Sequence, residues 1–253
     1  MRRLIAPVSI LTLALLAVPM TKAFFDELDS LKKELVVWQT THAADFSEIL
    51  NTLDDLSGPS FADVSDADWF SPYVASVSDW GIVSGYKDAN GEPTGQFGPA
   101  NAVTIAEMLK MAFEAAQANE DECGLVPPVH EQALGHWAVK YISCGEAMNM
   151  RVLSNPAIDI NRPAQRAEVL AVIHDAFGDL VPPIYSNFKD TAGHPLEADI
   201  AFASSQGIVS GDKDALGIQT GTFRPNDPIN RAEVAKILYE RLKADVKDEV
   251  AVQ

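Results

Sequence analysis

The sequence predicts an all-α protein made of three consecutive helix–loop–helix units. A short phrase recurs, opening at Phe97-Gly98-Pro99, at Ile158-Asp159-Ile160 and at Phe223-Arg224-Pro225, each time ending on Ala-Glu (Glu107, Glu168, Glu233). The copies lie 61 and then 65 residues apart, the spacing of a repeat architecture whose units bury too little core alone and must pack together. Apolar residues then follow at helical spacing: Met108, Leu109, Ala112 and Ala115 after the first phrase, and Val234, Ile237, Leu238 and Leu242 after the third. A second shared block precedes the phrase. Residues 61–86 and 188–211 both begin on Phe-x-Asp and carry Gly-Ile-Val-Ser-Gly near their ends, whereas the middle unit keeps only a remnant around Gly135-His136-Trp137.

At the N-terminus, Arg2 and Arg3 precede an apolar run from Leu4 to Val18, then Pro19 and Thr21-Lys22-Ala23. That order is a secretory signal over residues 1–23, with an uncleaved anchor as the alternative; the run is short for a membrane span. Residues 24–57 form a leader. Leu28, Leu31, Leu35 and Trp38 predict an amphipathic helix, continued less regularly by Ile49, Leu50, Leu53 and Leu56 and stopped at Ser57-Gly58-Pro59. It serves as a docked helix or stalk, or as a short coiled-coil seam for self-association or a protein cargo.

The first unit spans residues 60–118. Its first helix carries Trp69, Val74, Val77 and Trp80 on one face and stops at Gly81. A polar loop over residues 87–95 leads to a second helix opening at Thr104. The second unit, 119–178, is degenerate. The third, 184–243, repeats the first with Ile200, Ala203 and Gly207 in the matching places. Leu125-Val126-Pro127-Pro128 and Leu180-Val181-Pro182-Pro183 are stiff extended linkers. Residues 244–253 read as a frayed charged tail.

Removal of residues 1–23 leaves 16 basic against 36 acidic side chains, a net charge of -20. That balance argues against nucleic acid and anionic lipid surfaces as partners, and no membrane span is expected once the signal is removed. Export bears on Cys123 and Cys144, the only two cysteines. Outside the cytosol an even pair points to a disulfide. Zinc held by Cys123, His130, His136 and Cys144 is the rival, but the spacing is unlike a familiar finger.

These residues resemble the S-layer homology family, over roughly residues 60–243. The family pattern is Phe-x-Asp-Val, a Trp opening the first helix, Gly-Ile-Val-x-Gly, Phe-x-Pro, then Thr-Arg-Ala-Glu opening the second helix. The third unit keeps Phe188, Asp190, Gly207 to Gly211, Phe223, Pro225 and Arg231-Ala232-Glu233, with Pro195 where the Trp is expected. The first keeps Phe61 to Val64, Trp69, Gly81 to Gly85, Phe97 and Pro99, with Ile105 in place of the Arg. The second keeps Trp137 and Arg166-Ala167-Glu168, with Asn149 for the first Gly and Ile158 for the Phe. The resemblance implies three modules packed about a pseudo-threefold axis. It also implies non-covalent attachment of an exported protein to cell-wall polysaccharide, often pyruvylated, in the grooves between modules, and hence a cell-envelope or cell-surface location.

The motif also has a physical reading of its own. Thr104 with Glu107, Asn230 with Glu233 and, less well, Gln165 with Glu168 fit capping boxes. Arg166 and Arg231 are different, because the helix dipole disfavours a cation in the first turn. Beside free backbone N–H groups an arginine makes an anion site; the alternative is a salt bridge to a neighbouring unit. Ile105 leaves its groove silent on the first view. Trp69 and Trp137 are core anchors or sugar-stacking faces. Gly85 and Gly211 supply a turn of positive φ or let a ligand approach the backbone.

Asp88, Asn90 and Glu92, and Asp212 with Asp214, lack the full calcium-loop pattern and read as solvated loops. No cofactor is expected. Gly-x-Ser-x-Gly, His-Glu-x-x-His and phosphate-binding loops are all absent from the sequence, so the expectation is a non-catalytic glycan-binding anchor. The alternative is a structural surface-layer subunit that uses the same units and the leader for protein–protein assembly.

Overall fold

The chain divides into two units, Met1–Ser57 and Gly58–Gln253. A computed structural model describes residues 61–123 and 125–251. The signal and leader expected over residues 1–57 lie outside the described residues.

Seven α-helices run along the described chain: α1 (Ser71–Asp79), α2 (Ile105–Ala116), α3 (Glu120–Cys123), α4 (Val139–Ala147), α5 (Arg166–Phe177), α6 (Glu197–Ser205) and α7 (Arg231–Ala251). Two 3₁₀ turns, Glu131–Ala133 and Arg151–Leu153, complete them, and the described residues contain no strand beyond isolated bridges. The all-α expectation holds at this level. The short first helices α1, α4 and α6 have nine residues each. Each is followed by a second helix, α2, α5 or α7.

The second helices begin where the recurring phrase places them. Thr104 Oγ1 accepts the Glu107 N–H at 3.2 Å while the Glu107 carboxylate accepts the Thr104 N–H at 2.9 Å. Asn230 and Glu233 make the same reciprocal pair at 2.9 and 3.1 Å, and the Gln165 N–H donates to Glu168 at 2.9 Å. Each box satisfies helix N–H groups that have no partner within the helix. At the far end, α2 and α5 stop on left-handed residues, Gln117 (φ 54°) and Gly178 (φ 69°). α7 meets no such break and continues to Ala251, through good helix formers such as Lys243, Ala244 and Glu249. This corrects the expectation of a frayed tail from residue 244.

The phrase that precedes each second helix ties the units to one another. The Val103 N–H donates to Ile229 C=O at 3.0 Å, Ile229 N–H to Ala164 C=O at 3.2 Å, and Ala164 N–H to Val103 C=O at 2.8 Å, a closed cycle of three bonds. All three residues are buried. Around it, the first two N–H groups of each second helix donate to a neighbouring unit. Ile105 and Ala106 bond the carbonyls of Arg162 and Ile160, Arg166 and Ala167 those of Asp227 and Pro225, and Arg231 and Ala232 those of Asn101 and Pro99. Helix N-termini that would otherwise need solvent thus become the joints between units.

Side chains follow the same circuit. α4 packs on α2, α6 on α5, and α1 on α7, so each first helix lies on the second helix of another unit. The core is shared among them: Phe97, Phe113, Leu109, Ile142, Leu170, Ile173, Ile200 and Phe223 are essentially inaccessible. In the first and third units the Phe-x-Asp carboxylate pins the phrase, Asp63 accepting the Phe97 and Gly98 N–H groups at 2.8 and 2.7 Å and Asp190 those of Phe223 and Arg224 at 2.9 and 2.8 Å. A disulfide joins Cys123 at the end of α3 to Cys144 in α4.

Candidate functional site

Arg166 and Arg231 are buried, at 8 % and 6 % exposure. Arg231 Nε donates to Phe97 C=O at 2.9 Å, its guanidinium lies 4.7 and 4.9 Å from the Tyr86 and Phe97 ring centroids, and Glu107 stands 3.9 Å away. Arg166 repeats this in the third unit, with Nε on Phe223 C=O at 2.9 Å, Nη1 on Glu233 at 2.8 Å and the Phe223 ring at 5.0 Å. Each arginine therefore reaches out of its own unit and holds the phrase of the next, and Arg166 also grips that unit's capping glutamate. The backbone N–H groups that would have completed an anion site beside them are already bonded, two to neighbouring carbonyls and the third, at Glu107 and Glu233, to the cap side chain.

At the third such joint Ile105 is fully buried. Glu168, the glutamate an arginine at 105 would meet, is instead held by Arg162 at 2.5 and 2.9 Å. The cation has moved from the helix to the phrase, and the pairing survives.

Gly85 and Gly211 have φ of 69° and 72°. A Cβ on Gly85 would stand 2.6 Å from the Phe61 ring and 2.7 Å from Gln96 C=O, and one on Gly211 would collide with Phe188 and stand 2.7 Å from Thr222 C=O. Both glycines face the interior of their own units, where the Phe-x-Asp phenyl ring fills the space a side chain would take.

Trp69 and Trp137 lie on the outside, 56 % and 57 % exposed. Each sits just before a first helix and at the mouth of the seam that helix makes with another unit. Trp69 is held edge-on by Phe70 at 5.4 Å and against Tyr73 at 6.4 Å; Tyr73 meets Tyr239 of α7 at 5.3 Å, and Trp80 stacks on Tyr239 at 5.6 Å. Lys236 of α7 brings its ammonium 5.9 Å from Trp69 and 5.8 Å from Tyr73. Trp137 is held by His136 at 5.4 Å and Tyr141 at 6.5 Å, and Tyr141 packs on Phe113 of α2 at 6.4 Å while donating to Glu114 at 3.1 Å. Burial, and then the Glu114 charge, push the Tyr141 hydroxyl well above its ordinary pKa, so it stays a donor. Lys110 occupies on α2 the place that Lys236 occupies on α7.

The α5–α6 seam is different. It opens into a cleft of about 430 Å³ lined by Arg151, Gln165, Glu168, Ala171, His194 and Asn226, among others. Pro195 stands where the other seams have Trp, and Ala171 where they have Lys. Behind it, Arg151 closes on Asp199 with both Nη atoms at 2.8 Å and on Asp175 through Nε at 2.9 Å, and His174 Nδ1 lies 2.9 Å from Asp199. Burial acts to raise the Asp199 pKa, but the hydrogen bonds and charges of His174 and Arg151 outweigh it and hold the carboxyl below its usual range. The motif gave no reason to single out Arg151, His174, Asp199, Arg162 or Lys236. The signal was present as departures between copies: Arg151 stands where the other units have Val83 and Val209.

Cys123 and Cys144 are bonded to each other, and the His130 ring nitrogens face Glu146 at 2.6 Å and Asn155 C=O at 3.0 Å. The histidine replaces Phe61 and Phe188 of the other units. No group of three metal-ligating side chains occurs among the described residues.

Comparison with known proteins bears on the same segments. The sequence model of the S-layer homology domain matches residues 60–109 and 187–235. These two segments are S-layer homology domains. The matches cover the stretches in which Asp63 and Asp190 pin the phrase and Phe97 and Phe223 fill the core. Domains of this family bind cell-wall polysaccharide. A 115-residue stretch, 46% of the chain, is 30% identical to an uncharacterized cell wall amidase of Bacillus anthracis. The match spans about a fifth (20%) of that relative's length. Among the described residues no helix is long and apolar enough to cross a membrane.

Proposed function

We propose that residues 60–243 form a ring of three S-layer homology repeats about a pseudo-threefold axis, the degenerate middle segment serving as the second. The ring holds an exported protein non-covalently to cell-wall polysaccharide. The 103–229–164 hydrogen-bond cycle and the recurrent pairing of first and second helices support the ring. The signal over residues 1–23 and the leader over 24–57 complete the reading, the leader recruiting cargo or a second copy.

The observation that carries the binding function is the pair Trp69 and Trp137. A tryptophan is among the costliest side chains to leave in water, since its ring buries roughly 200 Å² or more in a core. Here two are more than half exposed at matching positions, each steadied from behind by aromatic neighbours. Such a ring offers a flat face for a sugar. At the α1–α7 seam Lys236 adds a cation beside it, with no carboxylate in salt-bridge reach among the described residues, suited to an acidic substituent on the saccharide. In a chain this acidic, a local cation is what lets an anionic glycan approach at all. Arg166 and Arg231 then act from behind, holding the seams closed, and Gly85 and Gly211 let the loops pack.

On this reading the function is anchoring and not catalysis. The test is titration of purified wall polysaccharide into the signal-free chain by tryptophan fluorescence and calorimetry. Saturable binding should weaken about tenfold or more, some 1.4 kcal/mol, in Trp69→Ala, and should lose its salt dependence in Lys236→Ala. A Trp69→Ala, Trp137→Ala double variant that binds like the parent sinks the assignment. Release of new amines from wall peptidoglycan would turn it toward an enzyme. Concentration-dependent oligomers without glycan binding would favour the surface-layer subunit.

A further inference from the structure

One place in the three seams is occupied by matched residues of differing chemistry. In the first helices it is Tyr73, Tyr141 and Asp199; in the second helices they face, it is Tyr239, Phe113 and His174. Two seams are aromatic, with ring centroids at 5.3 and 6.4 Å. The third is ionic: Asp199 and His174 are both 1 % exposed and 2.9 Å apart. Arg151 clamps the same carboxylate, from a position where the other units carry Val83 and Val209.

We propose that the Arg151–Asp199–His174 cluster is the key that fixes the order in which the three repeats close, admitting α6 to α5 and to no other helix. The repeats share one helix plan and are joined by equivalent Leu-Val-Pro-Pro linkers. Beyond the α2–α4 pair, which the Cys123–Cys144 disulfide ties, neither the shared plan nor the linkers dictate which first helix seats on which second helix. Seated on α2 or α7, α6 would bury the Asp199 carboxylate against Phe113 or Tyr239, without the two Arg151 bonds and the His174 contact that satisfy it on α5, and with only the outward-lying Lys110 or Lys236 nearby. Seated on α5, α1 or α4 would leave Arg151 facing tyrosine. A buried charge is tolerable only with its partner, and a single polar position in an apolar interface is enough to specify register and partner. A wrong closure also leaves a first and a second helix of the chain without partners, which two copies can then satisfy between them, a standing hazard of repeat proteins.

The cluster's surroundings are consistent with that role. Asp175 takes the remaining Arg151 donor, Arg151 N–H also donates to Asp175 at 2.8 Å, and Phe202 closes over His174 edge-on at 5.3 Å. Nothing in the cluster is left over for a ligand.

The test replaces the key by the residues of the other seams, Arg151→Val, His174→Phe and Asp199→Tyr together in the full chain. Parent and variant are refolded at protein concentrations spanning a hundredfold and sized by light scattering after dilution. The parent should give one species at every concentration. The variant should keep the parent's helix content yet yield dimers that persist on dilution and rise at least tenfold across the range. If the variant refolds to the parent's single species, the order is set elsewhere and the proposal fails. Should the triple variant lack the parent's helix content, Asp199→Asn carries the test. It keeps the shape and removes the charge: a several-fold rise in persistent dimers supports the key, and none overturns it. The proposal rests on the ring reading but not on the sugar. Glycan titration of the monomeric fraction should match the parent, so lost binding with normal assembly would count against the proposed function alone.

Discussion

Replacing Arg231 by alanine distinguishes a ligand-reading arginine from one that staples two repeats. The structure assigns Arg231 a charge-assisted hydrogen bond to Phe97 C=O at 2.9 Å and two aromatic rings within 5 Å of its guanidinium. The bond is worth about 1.5–3 kcal/mol, because Phe97 is buried and its carbonyl would lose its partner. Each ring adds about 0.5–1 kcal/mol. Glu107, at 3.9 Å, is beyond hydrogen-bond reach and adds little. The expected loss is about 2.5–5 kcal/mol, a large part of a typical domain's stability of about 5–15 kcal/mol. For a body of this size it lowers Tm by roughly 5–20 °C. Urea titration followed by circular dichroism reads it as a lower midpoint at unchanged slope. Arg166→Ala should behave alike, exchanging one ring for the 2.8 Å Glu233 pair. Polysaccharide affinity, measured well below the new midpoint, should fall far less than stability. If Arg231→Ala unfolds within about 1 kcal/mol of the parent while binding collapses, the staple reasoning is wrong and the arginine reads the glycan directly.

Ile105→Arg should destabilise by about 3–5 kcal/mol, since Ile105 is fully buried and Arg162 already holds Glu168; adding Arg162→Ala should recover part of the loss in the same urea assay. Acid should act on the α5–α6 seam. The folded Asp199 pKa is depressed, so its stabilisation is whole above the unfolded value of about 3.9 and is lost as pH falls through the lower folded value. Asp199→Asn should flatten the stability profile below about pH 4, and an unchanged acid limb would refute that assignment. Reducing the Cys123–Cys144 bridge, which spans 21 residues, should cost about 3 kcal/mol, read by calorimetry with and without reductant. Gly211→Ala should unfold the third repeat's loop first, seen as faster amide exchange over residues 208–223, because its Cβ meets Phe188 and Thr222 C=O.

The local grammar was legible in the sequence. Helical spacing and the three phrases predicted the second helices at Thr104, Gln165 and Asn230, where their caps lie, because caps and amphipathic faces are decided within a few residues of chain. The cysteine pairing was legible because the sequence offers one pair. The destination of side chains that leave their own repeat was not. From the sequence, Arg166 and Arg231 read first as an anion site, with a salt bridge to a neighbour as the alternative. Only tertiary structure bonds the helix N–H groups to the next repeat's carbonyls and so removes the anion site. Trp69 and Trp137 read from the sequence first as core anchors and only second as a surface for sugar, until packing filled the core with Val74, Val77, Phe97 and Ile142 and left the tryptophans outside. The order of closure was also hidden. Arg151, Asp199 and His174 lie up to 48 residues apart, and a charge placed in a near-copy of an apolar site acquires meaning only when the opposite face brings its partner.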